Sequence, residues 1–573
     1  MIELLKKYFG HNEFRPMQLD IIDNVLKKRD SLVIMPTGGG KSICYQLPTL
    51  QYEGLTIVIS PLISLMKDQV DSLRANGINA EYINSSLSFE EILLIQNKIQ
   101  RKEIKLLYIA PERLALEEFR VFLSTLQISL IAIDEAHCIS EWGHDFRPEY
   151  RNLKSLRILF PDAPIIALTA TATERVRIDI LKQLSLREPK IFISSFNRKN
   201  LNLMVVEKKK TIERIIAMLK EYKDESVIIY CFSRKDSENI AERLRNQGFD
   251  ALPYHAGLDN ETRKKNQDMF IKDKVNIIVA TIAFGMGINK PDVRLIIHHT
   301  FPKTLEGYYQ EIGRAGRDGL SSDCVLFYSR GDRRKHEFFI DKIEDEIIKS
   351  NAMAKLNQVM YYCEDKSCRR KQILKYFGED FLEANCGACD SCMDLSKPEK
   401  TEQRVLISKE KRKVIEYNHE LFEKLRILRK QIAAQRNIPP FIIFGDVSLR
   451  EMSSCFPSNN EEFLNIRGVG QQKLKDFGNL FLETIKTYLK EKSIDTKELV
   501  DFDEEEGSEI DYHKRLKKIK ENYANAYEPW KEEDDLRLKI LNSENKTISE
   551  IAQALMRQPG AIRSRLKKLC LID

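Results

Sequence analysis

Between residue 31 and about residue 330, short apolar, β-branched runs alternate with longer helix-compatible stretches, and no other feature limits the fold as tightly. The first series is Ser31-Leu-Val-Ile-Met, Thr56-Ile-Val-Ile-Ser, Leu106-Leu-Tyr-Ile, Leu130-Ile-Ala-Ile and Ile165-Ile-Ala-Leu. After a polar bridge near 197–210 the pattern restarts with Ser226-Val-Ile-Ile-Tyr, Asn276-Ile-Ile-Val-Ala, Leu295-Ile-Ile-His and Cys324-Val-Leu-Phe. Runs without polar alternation are strands covered on both faces, and the helices that cover them are the crossovers of a parallel sheet. Two series predict two doubly wound α/β domains, each with a ligand crevice outside the carboxyl ends of its strands.

Composition excludes several classes. No window approaches the ~18 uninterrupted apolar positions of a membrane span. The start Met1-Ile-Glu-Leu-Leu-Lys-Lys carries charges where a secretory segment has its apolar core, which predicts a cytoplasmic protein. The net charge is only +6, so any basic surface must be local.

Met35-Pro-Thr-Gly-Gly-Gly-Lys-Ser42 follows the first run and precedes a helix-compatible segment, the order a phosphate-binding loop needs. Met35 stands where the strict Gly-x4-Gly-Lys-Ser pattern begins with glycine, but Thr37, Gly38, Gly39, Gly40, Lys41 and Ser42 keep the chemistry. Glycines let backbone N–H groups approach phosphate, Lys41 reaches the β and γ oxygens, and Ser42 offers a hydroxyl to Mg²⁺. Asp134-Glu135 ends the run at 130–133. There Asp134 can hold Mg²⁺ through water and Glu135 can polarise the attacking water, although an isolated acidic pair more often caps a helix.

Four of the 11 cysteines, Cys368, Cys386, Cys389 and Cys392, follow the spacing C-x17-C-x2-C-x2-C. Four thiolates at this spacing suit a closed tetrahedral Zn²⁺ site with no open position, so one structural zinc is expected. The basic residues of the intervening Arg369-Arg-Lys segment are candidates for touching a nucleic-acid backbone, and Cys363 has no place in the pattern.

Three further motifs, Asp134-Glu-Ala-His137, Leu168-Thr-Ala-Thr-Ala172 and Gln310-Glu-Ile-Gly-Arg-Ala-Gly-Arg317, occur in an order that resembles the superfamily 2 helicase signature. Phe14-Arg-Pro-Met-Gln18, Cys138-Ile-Ser-Glu-Trp-Gly-His-Asp-Phe-Arg-Pro-Glu-Tyr150 and Ala283-Phe-Gly-Met-Gly-Ile-Asn-Lys-Pro291 narrow the resemblance to RecQ-type DNA helicases over about residues 1–395. The resemblance implies two RecA-like domains, ATP with Mg²⁺, and 3′→5′ movement on single strands in repair, recombination and replication restart. It implies that Gln18 and Arg15 read adenine, with His11 in the place of the family's stacking aromatic. It also implies that Arg317, with Arg314 beside it, is an arginine finger. Trp142, His144, Phe146 and Arg147 are then the residues that contact single-stranded DNA and report it to the ATP site. The implied partners are single-stranded and forked duplex DNA and a single-strand-binding protein, with no membrane, in a cytoplasmic, nucleoid-associated setting. Two rival readings are an RNA helicase with the same motor and a DNA-binding scaffold with weak unwinding. The Trp142 loop and the cysteine cluster count against the first, and intact Lys41, Asp134, Glu135 and Arg317 against the second.

The expected order is 1–205 and 206–335 (RecA-like), 336–395 (zinc-binding helical subdomain), 396–412 (linker), 413–492, 493–527 (acidic tether) and 528–573, the last domains being small and all-α. Too few residues follow the cysteines for the family's usual winged helix. Instead, Pro439-Pro-Phe-Ile-Ile-Phe and Ile466-Arg-Gly-Val-Gly-Gln-Gln-Lys473 resemble the HRDC domain. Its Gly468-Val-Gly470 turn either offers N–H groups to phosphate or is a plain helix-to-helix corner. The segment from Trp530 to Lys568 resembles a Myb-like or helix-turn-helix unit. Its Arg563, Arg565, Lys567 and Lys568 suit a phosphate-contacting face or a merely solvated one. Residues 411–573 are thus expected to replace part of the winged helix in holding forked DNA.

Overall fold

The computed structural model describes residues 1–143, 145–285, 289–393 and 417–492, with separate positions between 534 and 565. They fall into two units, 1–488 and 489–573.

The first sheet contains β1 (Ser31–Ile34), β2 (Leu55–Ile59), β3 (Ala80–Ile83), β4 (Leu106–Ile109), β5 (Ile128–Ile133), β6 (Ile165–Thr169) and β7 (Lys190–Ile193). Their order is β3-β4-β2-β5-β6-β1-β7, every pair parallel. The second contains β8 (Leu201–Glu207), β9 (Ser226–Tyr230), β10 (Ala251–Tyr254), β11 (Ile277–Ala280), β12 (Val293–His298) and β13 (Ser322–Tyr328). It is ordered β10-β11-β9-β12-β13-β8 and is again parallel throughout. The α/β expectation therefore holds for both domains. The apolar runs read from the sequence occupy interior strands such as β2 and β9, buried at every position because helices cover both faces.

One boundary needs correction. The segment expected to be a polar bridge contains β8, which pairs with β13 from Leu201↔Ser322 to Glu207↔Tyr328. The second domain therefore begins before Leu201 rather than at 206. As an edge strand β8 tolerates polar residues, and Asn202 Nδ2 donates to Asp323 Oδ1 at 2.6 Å.

Strands β5, β6 and β1 are neighbours, so the segments leaving their carboxyl ends (134–137, 170–173 and 35–42) converge. This adjacency, not sequence proximity, assembles the site.

The zinc subdomain packs helices Glu346–Glu364 and Arg369–Tyr376 against the second domain. Its cysteine knuckle lies against β8, with Leu203 N donating to Ala388 O at 2.9 Å and Asp390 N to Leu203 O at 3.0 Å. The expectation that Arg369 and Arg370 face a nucleic-acid backbone is overturned, since they are 6% and 5% exposed. Arg369 grips Asp390 through Nε and Nη2 at 2.9 and 3.0 Å. Arg370 donates to Asn197 Oδ1, Arg198 O and Leu201 O at 2.6–2.8 Å. Buried guanidiniums with this many donors must be satisfied by protein acceptors, and these are.

Residues 417–488 form a helical domain around Phe444, whose ring meets Phe463, Phe477 and Phe481 edge-on. It rests on both RecA-like domains. Gly468 N donates to Gly10 O at 2.8 Å, and helix Pro440–Ile443 meets helix Ile63–Ala75. On the second domain, Lys272 Nζ donates to Asn437 Oδ1 at 2.9 Å, and Asp446 lies 3.9 Å from Arg294. Burial pushes the Asp446 carboxyl up, but Arg429 and Arg294 outweigh it and hold it at about 2. The reading of the Gly468 turn as a phosphate cradle is corrected, because its N–H is spent on docking.

In the second unit, helix Ile548–Ala554 contributes Ile551 and Ala552 to a small core with Leu538, Leu555 and Ile562. Trp530, Arg563, Lys567 and Lys568 lie outside the described residues. Among the described residues, no helix is long and apolar enough to cross a membrane.

Candidate nucleotide site and single-strand crevice

The loop after β1 is shaped by its glycines. Gly38 and Gly40 have φ of +77° and +86°, a region costly for any residue with a Cβ. A Cβ on Gly40 would stand 2.4 Å from Gln18 Nε2, and one on Gly38 would stand 3.2 Å from Arg317 Cα. The loop is thus approached closely from its own domain and from the second one, a cradle that fits the backbone-to-phosphate contacts of a nucleotide. Gln18 donates from Nε2 to Gly40 O at 3.0 Å and accepts from Arg15 N at 2.8 Å, while Arg15 Nη1 reaches Gly38 O. Gln18, Arg15 and the loop therefore form one unit. His11 stands beside them, its imidazole pushed down to about 4 by burial and by Arg15, Lys473 and Arg467.

Lys41 Nζ donates to Met35 O at 3.0 Å, and burial pushes its ammonium down against the pull of Glu135 and Asp134. Burial and the adjacent Glu135 push Asp134 up to about 7, opposed by Lys41. Glu135 has φ +48°, strained for a residue with a side chain, at the end of β5. Its buried Oε2 accepts no hydrogen bond, with His137 Nδ1 3.3 Å away. Two crowded acids, one with an orphaned oxygen, fit a divalent cation beside Ser42 and Asp134.

Arg317 arrives from the second domain, with Nη1 donating to Asn289 Oδ1 at 3.0 Å. Burial, Arg314 and Arg198 push it down to about 9, and Glu135 pulls it up. Arg314 stands beside Arg317, with Tyr230 close to both guanidiniums. Between the domains, Thr37 Oγ1 donates to Gly313 O at 2.8 Å and Gln310 Nε2 to Thr171 Oγ1 at 3.2 Å. Sequence reasoning passed over Arg198, whose guanidinium donates to Thr37 O, Ala315 O and Gly316 O at 2.6, 2.8 and 2.8 Å. An arginine in a polar segment carries no periodic signal, so only the fold reveals that it bolts the loop to the Arg317 segment. Arg467 and Lys473 near His11 were also missed, because they come from the distant helical domain.

Behind the acids, the loop 138–150 is braced by its own charges. Arg147 pairs with Asp145 at 3.0 Å and donates to Pro61 O at 2.9 Å. The Arg175 guanidinium lies 3.1 Å from the centroid of Trp142, and that of Arg151 lies 5.0 Å from Phe146. His144 lies outside the described residues. A crevice of about 730 Å³ opens beside this loop, with Asp145 and Arg147 on one wall and Phe232, Arg234, Lys235 and Phe339 on the other.

The four cysteine sulfurs lie within 4.8 Å of one another. The Cys368–Cys389 separation of 4.0 Å is near the ~3.8 Å edge of a tetrahedron with metal–sulfur bonds of about 2.3 Å. Backbone N–H groups of Cys386 and Cys392 point at Cys392 and Cys389 sulfurs, each at 3.4 Å, as donors that favour thiolate. The set fits zinc.

Family comparisons agree segment by segment. Residues 15–178 match the DEAD/DEAH box helicase model and 207–319 the helicase conserved C-terminal domain. Residues 330–393 match the RecQ zinc-binding model and 418–485 the HRDC domain. A Pasteurella multocida protein called ATP-dependent DNA helicase RecQ is 38% identical, covering 85% of this chain and 94% of that protein. A Bacillus subtilis protein of the same name is 40% identical, over 85% and 98%. The Saccharomyces cerevisiae protein called ATP-dependent helicase SGS1 is 41% identical over 82% of this chain and 33% of its own length.

Proposed function

This chain belongs to the RecQ family, and from that premise we propose that it is an ATP- and Mg²⁺-dependent DNA helicase that moves 3′→5′ along single strands and serves repair and recombination. The single observation that carries the reading is the meeting of Lys41, Asp134 and Glu135 from one domain with Arg317 from the other. In that site the loop N–H groups and Lys41 hold the triphosphate, and Gln18 and Arg15 hold the adenine end. Glu135 orients water for attack on the γ-phosphorus. Arg317 neutralises charge that grows on the γ-oxygens, so hydrolysis requires both domains to be in place. Mg²⁺, when bound by Ser42 and Asp134, neutralises the phosphate oxygens.

The route from DNA to this chemistry is short. Lys355 Nζ donates to Trp142 O at 3.2 Å and pairs with Glu306 at 3.1 Å. Glu306 sits on helix Leu305–Ile312, which leads directly to Arg314 and Arg317. A strand that displaces Arg175 from Trp142 or shifts the loop therefore presses on the helix that positions the finger. Trp142→Ala should retain basal ATP hydrolysis while lowering its stimulation by oligo(dT). An unchanged ratio of stimulated to basal rate would reject the sensor role.

Lys41→Ala should lower ATP turnover about 100- to 1,000-fold, the loss typical of one preorganised electrostatic donor. Single-strand affinity should persist, because the crevice lies apart from the phosphate loop. Strand displacement on duplexes with 3′ or 5′ tails tests the whole reading. Unwinding of the 3′-tailed substrate supports it; ATPase stimulation by RNA but not DNA overturns it.

A further inference from the structure

Helix Arg333–Ile340 leaves two large aromatic side chains uncovered. His336 and Ile340 face inward, and His336 Nε2 is anchored on Phe301 O at 2.9 Å. One turn apart, those two residues define the buried stripe; Phe338 falls opposite it, whereas Phe339, three residues after His336, flanks it against the same Phe232 ring. Phe338 and Phe339 are 59% and 55% exposed. Neighbouring exposed phenylalanines form an apolar surface that a ligand can cover.

Their setting identifies that ligand. Phe339 lines the crevice beside the 138–150 loop together with Phe232, Arg234 and Lys235. Its ring centroid lies 5.8 Å from that of Phe232 and 5.4 Å from that of Phe338, tilted and edge-on respectively. Phe232 itself packs edge-on against buried His336 at 5.0 Å. The Lys342 ammonium stands 4.2 Å from the Phe338 centroid. On the facing wall, Arg147 is neutralised by Asp145, so the unbalanced charge of the crevice is carried by Arg234 and Lys235. A protein partner would bring apolar side chains to an apolar patch. Aromatic faces set among cations, in an open groove, fit a polyanion with flat apolar units instead. Trp142 and Phe146 have guanidiniums over their rings, and the Lys342 ammonium lies 5.8 Å from the Phe339 centroid, while Phe339 also lines the crevice.

We propose that Phe339, backed by Phe232 and Phe338, is a base-stacking platform for single-stranded nucleic acid on the second-domain wall of the crevice. The proposal rests on the reading that this crevice carries a single strand. It adds that the second domain holds a base as well as phosphates, through an aromatic from the helix that begins the zinc subdomain. A platform on this wall grips the strand by its bases, whatever their sequence, because every base offers a π-face.

The test measures binding of the full chain to fluorescein-labelled oligo(dT) and to an abasic phosphodiester of equal length. Phe339→Ala should weaken oligo(dT) binding about 5- to 150-fold, the range for losing one stacked base, and leave abasic binding unchanged. The slope of log affinity against log salt should be preserved, since no phosphate contact is removed. Phe339→Trp should restore affinity, and Phe339→Leu, apolar but without a π-face, should not. A 2-aminopurine scanned along the strand should be quenched at one position by the wild type and at none by Phe339→Ala. The double variant Arg234→Ala, Lys235→Ala should weaken both oligonucleotides. If the charge variant loses affinity while Phe339→Ala does not, the strand runs in the crevice but misses Phe339, and the proposal fails alone. If neither variant loses affinity, the reading of the crevice fails with it. Equal loss on both oligonucleotides, or wild-type binding by Phe339→Leu, also overturns stacking.

Discussion

Replacing Arg317 with alanine should lower ATP turnover about 10³- to 10⁵-fold while ATP still binds, the scale on which an arginine finger stabilises phosphoryl transfer. The expectation follows from where the guanidinium stands. It is buried among Arg314 and Arg198, with Glu135 as the acid that favours its charge, and at about 9 it remains protonated at neutral pH. A cation held in that position is preorganised for negative charge that grows only as the γ-phosphoryl leaves. Steady-state hydrolysis together with binding of a fluorescent ATP analogue separates the two effects. Turnover within tenfold of wild type would remove Arg317 from the chemistry. Arg314→Ala is the contrast, because its side chain is turned toward Tyr230 and its loss should act mainly on packing between segments of the second domain.

The same geometry shows why hydrolysis and domain arrangement are hard to separate in this chain. Arg198 donates to carbonyls on both sides of the cleft, and Thr37 and Gln310 add hydrogen bonds across it. The phosphate loop and the Arg317 segment are therefore registered against each other by Arg198 and Thr37, and the two domains also by Gln310. The docked helical domain adds a further link, through Gly10 on one side and Asp446 on the other. Any motion that opens the cleft must break or stretch these contacts, which couples the nucleotide site to the rest of the interdomain cleft.

Which parts of this were readable in advance has a physical pattern. The interior strands announce themselves, because a strand covered on both faces must be apolar at consecutive positions, as in Ser226-Val-Ile-Ile-Tyr. The strands that escaped notice, β3, β7, β8 and β10, are the four sheet edges. Edge strands keep polar residues such as Glu81 and Lys190, and Pro253 can sit in β10 because one side of an edge needs no ladder partner. The phosphate loop, acidic pair and cysteines stand out by residue type and spacing, whereas Arg317 was singled out only through the resemblance of its motif to the helicase family. Arg198, Arg467, Lys473 and Phe339 were not, since each acts through a neighbour that only tertiary packing supplies. The opposite error befell Arg369 and Arg370. Charge in a helix reads as solvent-facing, yet both are buried, because Asp390 and the carbonyls of residues 197–201 wait for them.

Those buried arginines give the zinc site reach beyond its own fold. The chain of contacts runs from the cysteine knuckle to β8 through Leu203, and from helix Arg369–Tyr376 through Arg370 to Arg198 O, the residue that bolts the phosphate loop. Cys389 is fully buried at the centre of the knuckle and accepts the Cys392 N–H through its sulfur. Cys389→Ser removes one of four thiolates and leaves a hydroxyl that is a poor zinc ligand. In small zinc modules metal binding supplies about 10–16 kcal/mol of folding free energy, comparable to the whole net stability of about 5–15 kcal/mol of an ordinary domain. Elemental analysis should therefore find about one zinc per wild-type chain, as four thiolates imply, and clearly less in the variant. The variant should also melt at a lower temperature, and its ATP turnover should fall although no residue of the nucleotide site has changed. Prolonged chelation of the wild type should reproduce all three effects. Full zinc occupancy in Cys389→Ser would refute the ligand set. Lost zinc with unchanged melting and turnover would show instead that the knuckle holds its place on β8 without the metal.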